Sequence, residues 1–136
     1  MTRLPPEIDP VAVLQQLVRI DSVNSDLVPN AAGEAPIAAW CRDWLLQQGF
    51  EVSVLEQTAG RPSVVGLKRG TGTGRSLMLN GHLDTVGVAT YAGDPFSGDL
   101  RDGRVYGRGA IDTKSGLAAI LVAAARASAH ALPPRE

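Results

Sequence analysis

The stretch RSLMLNGHLDTV, residues 75–86, joins a short apolar run to a histidine and an aspartate two positions apart. The apolar residues do not alternate with polar ones, which is typical of a strand covered on both faces. We therefore expect RSLMLNGH to form a central strand. Side chains two positions apart on a strand share a face, so His82 and Asp84 should lie together at its C-terminal end. Ligands bind at that end of open α/β sheets.

Helical and strand patterns surround this stretch. Helices are predicted from Pro10, after the capping residue Asp9, and from Glu34 to Gln48 before Gly49. Strand patterns are FEVSVLE, PSVVGLK and a hairpin, FSGDLRDGRVYG, turning at Asp102-Gly103. An alanine-rich helix follows Asp112 and should stop at Pro133-Pro134. The order predicts one α/β domain over residues 1–136, a three-layer α/β/α arrangement with a mixed sheet.

Composition excludes several classes of protein. The chain has 136 residues and 13 basic against 14 acidic side chains, without the basic run that nucleic-acid binding favours. It has no apolar stretch near the roughly 18 residues of a membrane helix. Cys41 is the single cysteine, so neither a disulfide nor a thiolate zinc cluster can form within the chain. These features favour a cytoplasmic protein.

Two segments carry candidate chemistry. An imidazole such as that of His82 can bind a metal through one nitrogen while a carboxylate, here Asp84, accepts the proton of the other. The segment GRGAIDTKSG, residues 107–116, brings Asp112 in front of the last helix, and a carboxylate there could bridge two metal ions. The simpler alternatives are that His82 and Asp84 satisfy each other in a polar turn, that Asp112 caps the helix and that Lys114 is a solvated charge.

Taken together, GHLDTV and GRGAIDTKSG resemble the two metal motifs of a zinc-dependent metallopeptidase and deacylase family. This family includes acetylornithine deacetylase, succinyl-diaminopimelate desuccinylase, aminoacylase and bacterial glutamate carboxypeptidases. The resemblance implies a zinc-peptidase-like catalytic domain in which His82 ligates one Zn²⁺, Asp112 bridges two, and Asp84 is the catalytic-site partner of His82. It also implies hydrolysis of N-acyl amino acids or small peptides, Co²⁺ as a possible substitute, and a homodimer for the complete protein.

Other features of that family have no counterpart here. It supplies a Glu-Glu pair, a further acidic ligand and a late histidine, whereas the only such residues after Asp112 are His130 and Glu136. His130 is expected on a helix surface. We therefore expect a truncated, N-terminal portion of the catalytic domain, without its dimerisation or lid domain and inactive alone. A non-catalytic protein that associates through an open sheet edge, and a mononuclear metal-binding module using His82 and Asp112, remain alternatives.

Overall fold

The computed structural model describes residues 8–70 and 74–129. The helices are α1 (Pro10–Arg19), α2 (Ala35–Gln47) and α3 (Ser115–Ala129). The strands are β1 (Glu51–Thr58), β2 (Arg61–Leu67), β3 (Asp99–Arg101) and β4 (Arg104–Tyr106). This mixture of helices and strands agrees with the predicted α/β class.

The helix boundaries agree closely with the expected ones. Asp9 caps α1, where its carboxylate accepts a hydrogen bond from the amide of Val11 at 3.0 Å, and Pro10 occupies the first turn. Gly49, with a φ of 74°, follows the end of α2. Residues 130–136, with His130 and the two prolines expected to stop the last helix, lie outside the described part, as do residues 71–73.

The strands pair as two separate hairpins. β1 and β2 are antiparallel, with Val54 opposite Val64, and β3 and β4 are antiparallel, with Leu100 opposite Val105. Asp102 and Gly103 connect the second pair with φ values of 51° and 72°. Positive φ at both positions matches the tight turn that Asp-Gly favours, so the predicted hairpin is confirmed.

The prediction of a central strand at residues 75–82 is wrong for the described residues. These residues join no ladder, and the nearest pairing is an isolated parallel bridge between Val23 and Thr85. Leu77 and Met78 are 83% and 85% exposed, because none of the described strands or helices covers them. A strand needs partners for its backbone, and the described residues offer none here. The expected mixed sheet is therefore not formed within residues 8–70 and 74–129.

The core is built where the three helices meet the first hairpin. α1 packs against α3, and α2 packs against β1 and β2, where a Cβ at Gly66 would approach Leu45 to 3.0 Å. The buried cluster is largely aliphatic and contains Val13, Leu17, Ile37, Cys41, Trp44, Leu45, Phe50, Leu117, Ala118, Leu121, Val122 and Ala125. Within the described ranges, no helix combines the length and apolarity that crossing a bilayer requires.

Candidate functional site

The segment that carries His82 and Asp84 lies against the residues that follow α1. The amide of Thr85 donates to the carbonyl of Ser22, and the amide of Asn24 donates to the carbonyl of Thr85, each at 2.9 Å. The Asn24 side chain donates to Asp84 Oδ2 at 2.8 Å. The 22–24 segment therefore positions both the backbone of this stretch and the Asp84 carboxylate.

Asp112 is presented by a glycine-rich loop, residues 107–114, that precedes α3. Gly109 has a φ of 82° and precedes a π-helical turn, Ala110–Lys114, within which Asp112 itself departs from helical dihedral angles. A Cβ at Gly109 would lie 2.7 Å from Thr85 Cγ2, so only glycine allows the loop to pack this closely on the His82 segment. The peptide bond between Asp112 and Thr113 is cis.

The structure brings the three residues singled out in the sequence together. His82 Nε2 lies 3.2 Å from Asp112 Oδ1, and His82 Nδ1 lies 3.0 Å from the Asp84 carbonyl oxygen and 3.1 Å from Asp84 Oδ1. One imidazole is thus flanked by two carboxylates, with Asp84 orienting the ring and Asp112 facing its outer nitrogen. Asp112 meets His82 rather than capping α3, and the metal-binding roles of these side chains stay predictions.

The two carboxylates affect the protonation of the imidazole. Burial opposes the charged form of His82, but the hydrogen bond to Asp112 and the contacts with Asp84 outweigh it and raise the pKa of His82 above 6.5. Burial likewise disfavours the charged form of Asp84, but the hydrogen bond from Asn24 and the charge of His82 outweigh it and lower the pKa of Asp84. Asp84 is therefore ionised at neutral pH and favours a proton on His82 Nδ1.

Lys114 is not the solvated charge considered above; that interpretation is wrong. The residue is 1% exposed, and its ammonium donates to the carbonyls of Leu17 at 2.9 Å and Ile20 at 2.8 Å, at the end of α1. Burial lowers the pKa of Lys114 to about 8, and the negative charge of Asp21 opposes this shift only in part. Nothing in the local sequence distinguishes Lys114 from an exposed lysine.

Arg61 is a second charged residue whose role the sequence does not reveal. It pairs with Glu34 at 2.7 Å and with Asp26 at 2.5 Å, and it lies 4.0 Å from Asp84 Oδ2. Glu34 is 4% exposed, so the pair ties β2 to the start of α2. The position of Arg61 beside Asp84 adds positive charge behind the carboxylate that contacts His82.

The site opens into a groove of about 630 Å³, whose lining includes His82, Asp84, Tyr91, Arg108 and Asp112. The imidazole nitrogen and the carboxylate oxygen that converge there are of the kinds that bind Zn²⁺. The side chains of His82 and Asp112 are 50% and 87% exposed, so an ion could reach both. No group of three His, Cys, Asp or Glu side chains in the described part is placed to hold one metal ion. The residues present therefore fit part of a zinc site.

Comparisons with known proteins point to one family of peptidases and related hydrolases. Residues 78–136 match the model of peptidase family M20/M25/M40. Similar proteins include succinyl-diaminopimelate desuccinylases from Parvibaculum lavamentivorans (35% identical, covering 88% of this chain and 30% of the relative) and Cereibacter sphaeroides (37%, covering 86% and 30%). The corresponding protein of Ehrlichia ruminantium is 34% identical, covering 93% of this chain and 32% of the relative.

Over residues 78–136 the chain belongs to peptidase family M20/M25/M40. It spans about 30% of the length of the curated relatives that it matches. Both segments that carry the candidate site, residues 82–84 and 107–114, lie within the stretch that matches the family model.

Proposed function

We propose that the complete protein is a zinc-dependent hydrolase that cleaves the amide bond of N-acylated amino acids or small peptides. The contact of His82 Nε2 with Asp112 Oδ1 at 3.2 Å, with Asp84 on the opposite ring nitrogen, carries this proposal. The names of the relatives, succinyl-diaminopimelate desuccinylases, support the substrate class.

Each side chain of the site would have a separate role toward the metal ions. His82 Nε2 would hold one ion and Asp112 would bridge two, while Asp84 and Asn24 fix the orientation and the protonated nitrogen of the imidazole. Bound zinc would supply a Lewis acid for the scissile carbonyl. Co²⁺ is a suitable substitute because it accepts the same nitrogen and oxygen donors.

The chain taken alone is proposed to be inactive. Amide hydrolysis requires a general base and enough ligands to fix the metal ions. Glu136 is the only carboxylate side chain after Asp112, and the described residues supply only His82 and Asp112 facing each other. The remaining groups would come from further chain in a complete catalytic domain.

The exposed residues 75–82 fit the same proposal. Leu77, Met78 and Leu79 are consecutive, so they would present apolar side chains on both faces of a strand. In a complete domain we propose that this segment becomes a central strand of a three-layer α/β/α fold, flanked by strands and helices from further chain. His82 would then stand at its C-terminal end.

The activity is tested on the polypeptide encoded by the whole reading frame. N-succinyl and N-acetyl amino acids should be hydrolysed, chelator should abolish the activity, and zinc should restore it. His82→Ala should lose the activity, whereas His130→Ala, the other histidine of the chain, should keep it. Activity that survives chelator or His82→Ala would refute a metal-dependent hydrolase built on this residue.

The exposed segment also favours a second candidate, a non-catalytic protein that associates through its apolar surface. Leu77 and Met78, with Val54, Leu55 and Val65 of the first hairpin, expose apolar side chains. This candidate predicts self-association of the 136-residue chain, which Leu77→Lys with Met78→Lys should reduce. A monomer in size-exclusion chromatography at high concentration would count against it.

A further inference from the structure

We propose that Lys114 is a positioning residue of the metal site, which fixes Asp112 relative to His82 by fastening the 107–114 loop to the C-terminal end of α1. This inference rests on the proposed metal-binding role of His82 and Asp112. It adds a residue whose ammonium is hydrogen-bonded to the end of α1 and not to either proposed ligand.

The contact of Lys114 with α1 is specific. Its ammonium donates to the carbonyls of Leu17 and Ile20, at 2.9 Å and 2.8 Å. The last carbonyls of a helix lack partners within the helix and carry partial negative charge, so a buried cation with several donors suits them. Among the described residues, the carbonyl of Leu17 otherwise accepts only a long bond, 3.3 Å, from the amide of Ile20. Lys114 thus provides a strong polar link between the loop and the helix.

The same end of α1 also governs the position of His82. The chain continues from Ile20 into residues 22–24, and these hold Thr85 through two backbone hydrogen bonds of 2.9 Å. Asn24 in addition holds the Asp84 carboxylate. Both ligand-bearing segments are therefore attached to one point in the fold. The His82 segment is attached through the backbone of residues 22–24, and the Asp112 loop through the Lys114 side chain.

Asp112 depends on this attachment because its own side chain is not packed. It is 87% exposed, and in the described part of the chain the one polar contact of its carboxylate is with His82. The loop, by contrast, is closely packed: the amide of Lys114 donates to the carbonyl of Gly109 at 2.9 Å, and a Cβ at Gly109 would approach Lys114 Cδ to 3.1 Å. Displacing Lys114 would therefore move the loop, and Asp112 would move with it.

The experiment replaces Lys114 in the polypeptide encoded by the whole reading frame. Lys114→Met keeps an unbranched side chain of similar length but removes the charge and the donors. Lys68→Met is the matched control, because Lys68 also donates to a backbone carbonyl, that of Gly49 at 2.7 Å, but on the exposed end of the first hairpin. Zinc affinity is measured by calorimetry, and the visible d–d bands of the Co²⁺-loaded protein report the geometry of coordination.

We expect Lys114→Met to weaken zinc binding roughly 10- to 100-fold, the range found for residues that orient metal ligands, and to change the Co²⁺ bands. Lys68→Met should change neither. Unchanged affinity and bands in Lys114→Met would overturn the inference. If Lys114→Met does not fold, as judged by circular dichroism, Lys114→Gln replaces it. The shorter amide cannot reach both carbonyls, so its Co²⁺ bands should also differ from wild type, and identical bands would overturn the inference.

The wild-type and His82→Ala proteins separate the two possible failures. If the wild type binds no zinc, or if His82→Ala binds it equally well, the proposed metal site is wrong. If binding depends on His82 but not on Lys114, the metal site stands and only the positioning role is wrong.

Discussion

Gly107→Ala tests whether the loop that carries Asp112 packs on α1 as the structure describes. Gly107 has a φ of 146°, and a Cβ there would lie 2.2 Å from Val18 Cγ1 and 2.9 Å from the carbonyl oxygen of Pro95. Carbon atoms in favourable contact are about 3.5–4.0 Å apart, so the added methyl group overlaps Val18 by more than about 1 Å. Val18 is 0% exposed and its backbone is helical, so it has little freedom to move away.

The cost follows from two contributions. Holding alanine at this φ costs about 1–3 kcal/mol, and forcing neighbouring groups apart costs about 1–3 kcal/mol more. The variant should therefore lose about 2–6 kcal/mol of unfolding free energy, against a typical total of about 5–15 kcal/mol. Gly103→Ala is the control, because Gly103 has a φ of 72° but has nothing within 4 Å of the Cβ position. It should cost only the backbone contribution, about 1–2 kcal/mol.

Urea unfolding followed by circular dichroism measures both variants. The expected result is a clearly larger loss for Gly107→Ala than for Gly103→Ala. If the two variants lose the same free energy, the loop does not lie against Val18, and the inferred attachment of Asp112 to α1 loses its basis.

Three further predictions concern the site and the core. Because the pKa of His82 is raised above 6.5, its contact with the carboxylates should stabilise the metal-free fold fully below pH 6.5 and lose this effect as pH rises through the folded-state pKa. His82→Ala should therefore lower the free energy of unfolding, measured in urea, by less than about 1 kcal/mol at pH 6 and by still less at pH 9. An equal or larger loss at pH 9 would contradict this expectation. Asp84→Asn should weaken zinc binding in calorimetry about 10- to 100-fold, whereas unchanged binding would show that Asp84 does not orient His82. Cys41 is 2% exposed, and burial raises the pKa of its thiol to about 12. Alkylation of Cys41 should therefore be slow in the native chain and fast in urea, whereas rapid labelling of the native chain would mean that the core is open.

Features that depend on neighbouring residues could be predicted from the sequence. Asp9 and Pro10 mark the start of α1, and Asp102-Gly103 marks the turn between β3 and β4, because caps and tight turns are determined over a few residues. The approach of His82 to Asp112 was anticipated from two motifs 30 positions apart, with the help of a family resemblance.

Features that depend on distant parts of the chain could not be predicted from the sequence. Residues 75–82 have the composition of a buried strand, but strand formation requires a pairing edge that the described residues do not provide. Lys114 is buried because its ammonium reaches the carbonyls of Leu17 and Ile20 at the C-terminal end of α1. These residues lie nearly a hundred positions earlier in the chain, so the local sequence does not reveal the contact. Arg61 contacts Glu34 and approaches Asp84 because β2 packs on α2, a contact between segments distant in the sequence.

The proposed function depends on His82 and Asp112 binding a shared metal ion. Anomalous diffraction at the zinc absorption edge, from crystals of the zinc-loaded protein, tests it most directly. We predict a peak about 2.0–2.2 Å from both His82 Nε2 and an Asp112 carboxylate oxygen, with the 3.2 Å contact between these side chains opened to admit the ion. A zinc peak elsewhere, with that contact intact, would contradict the account.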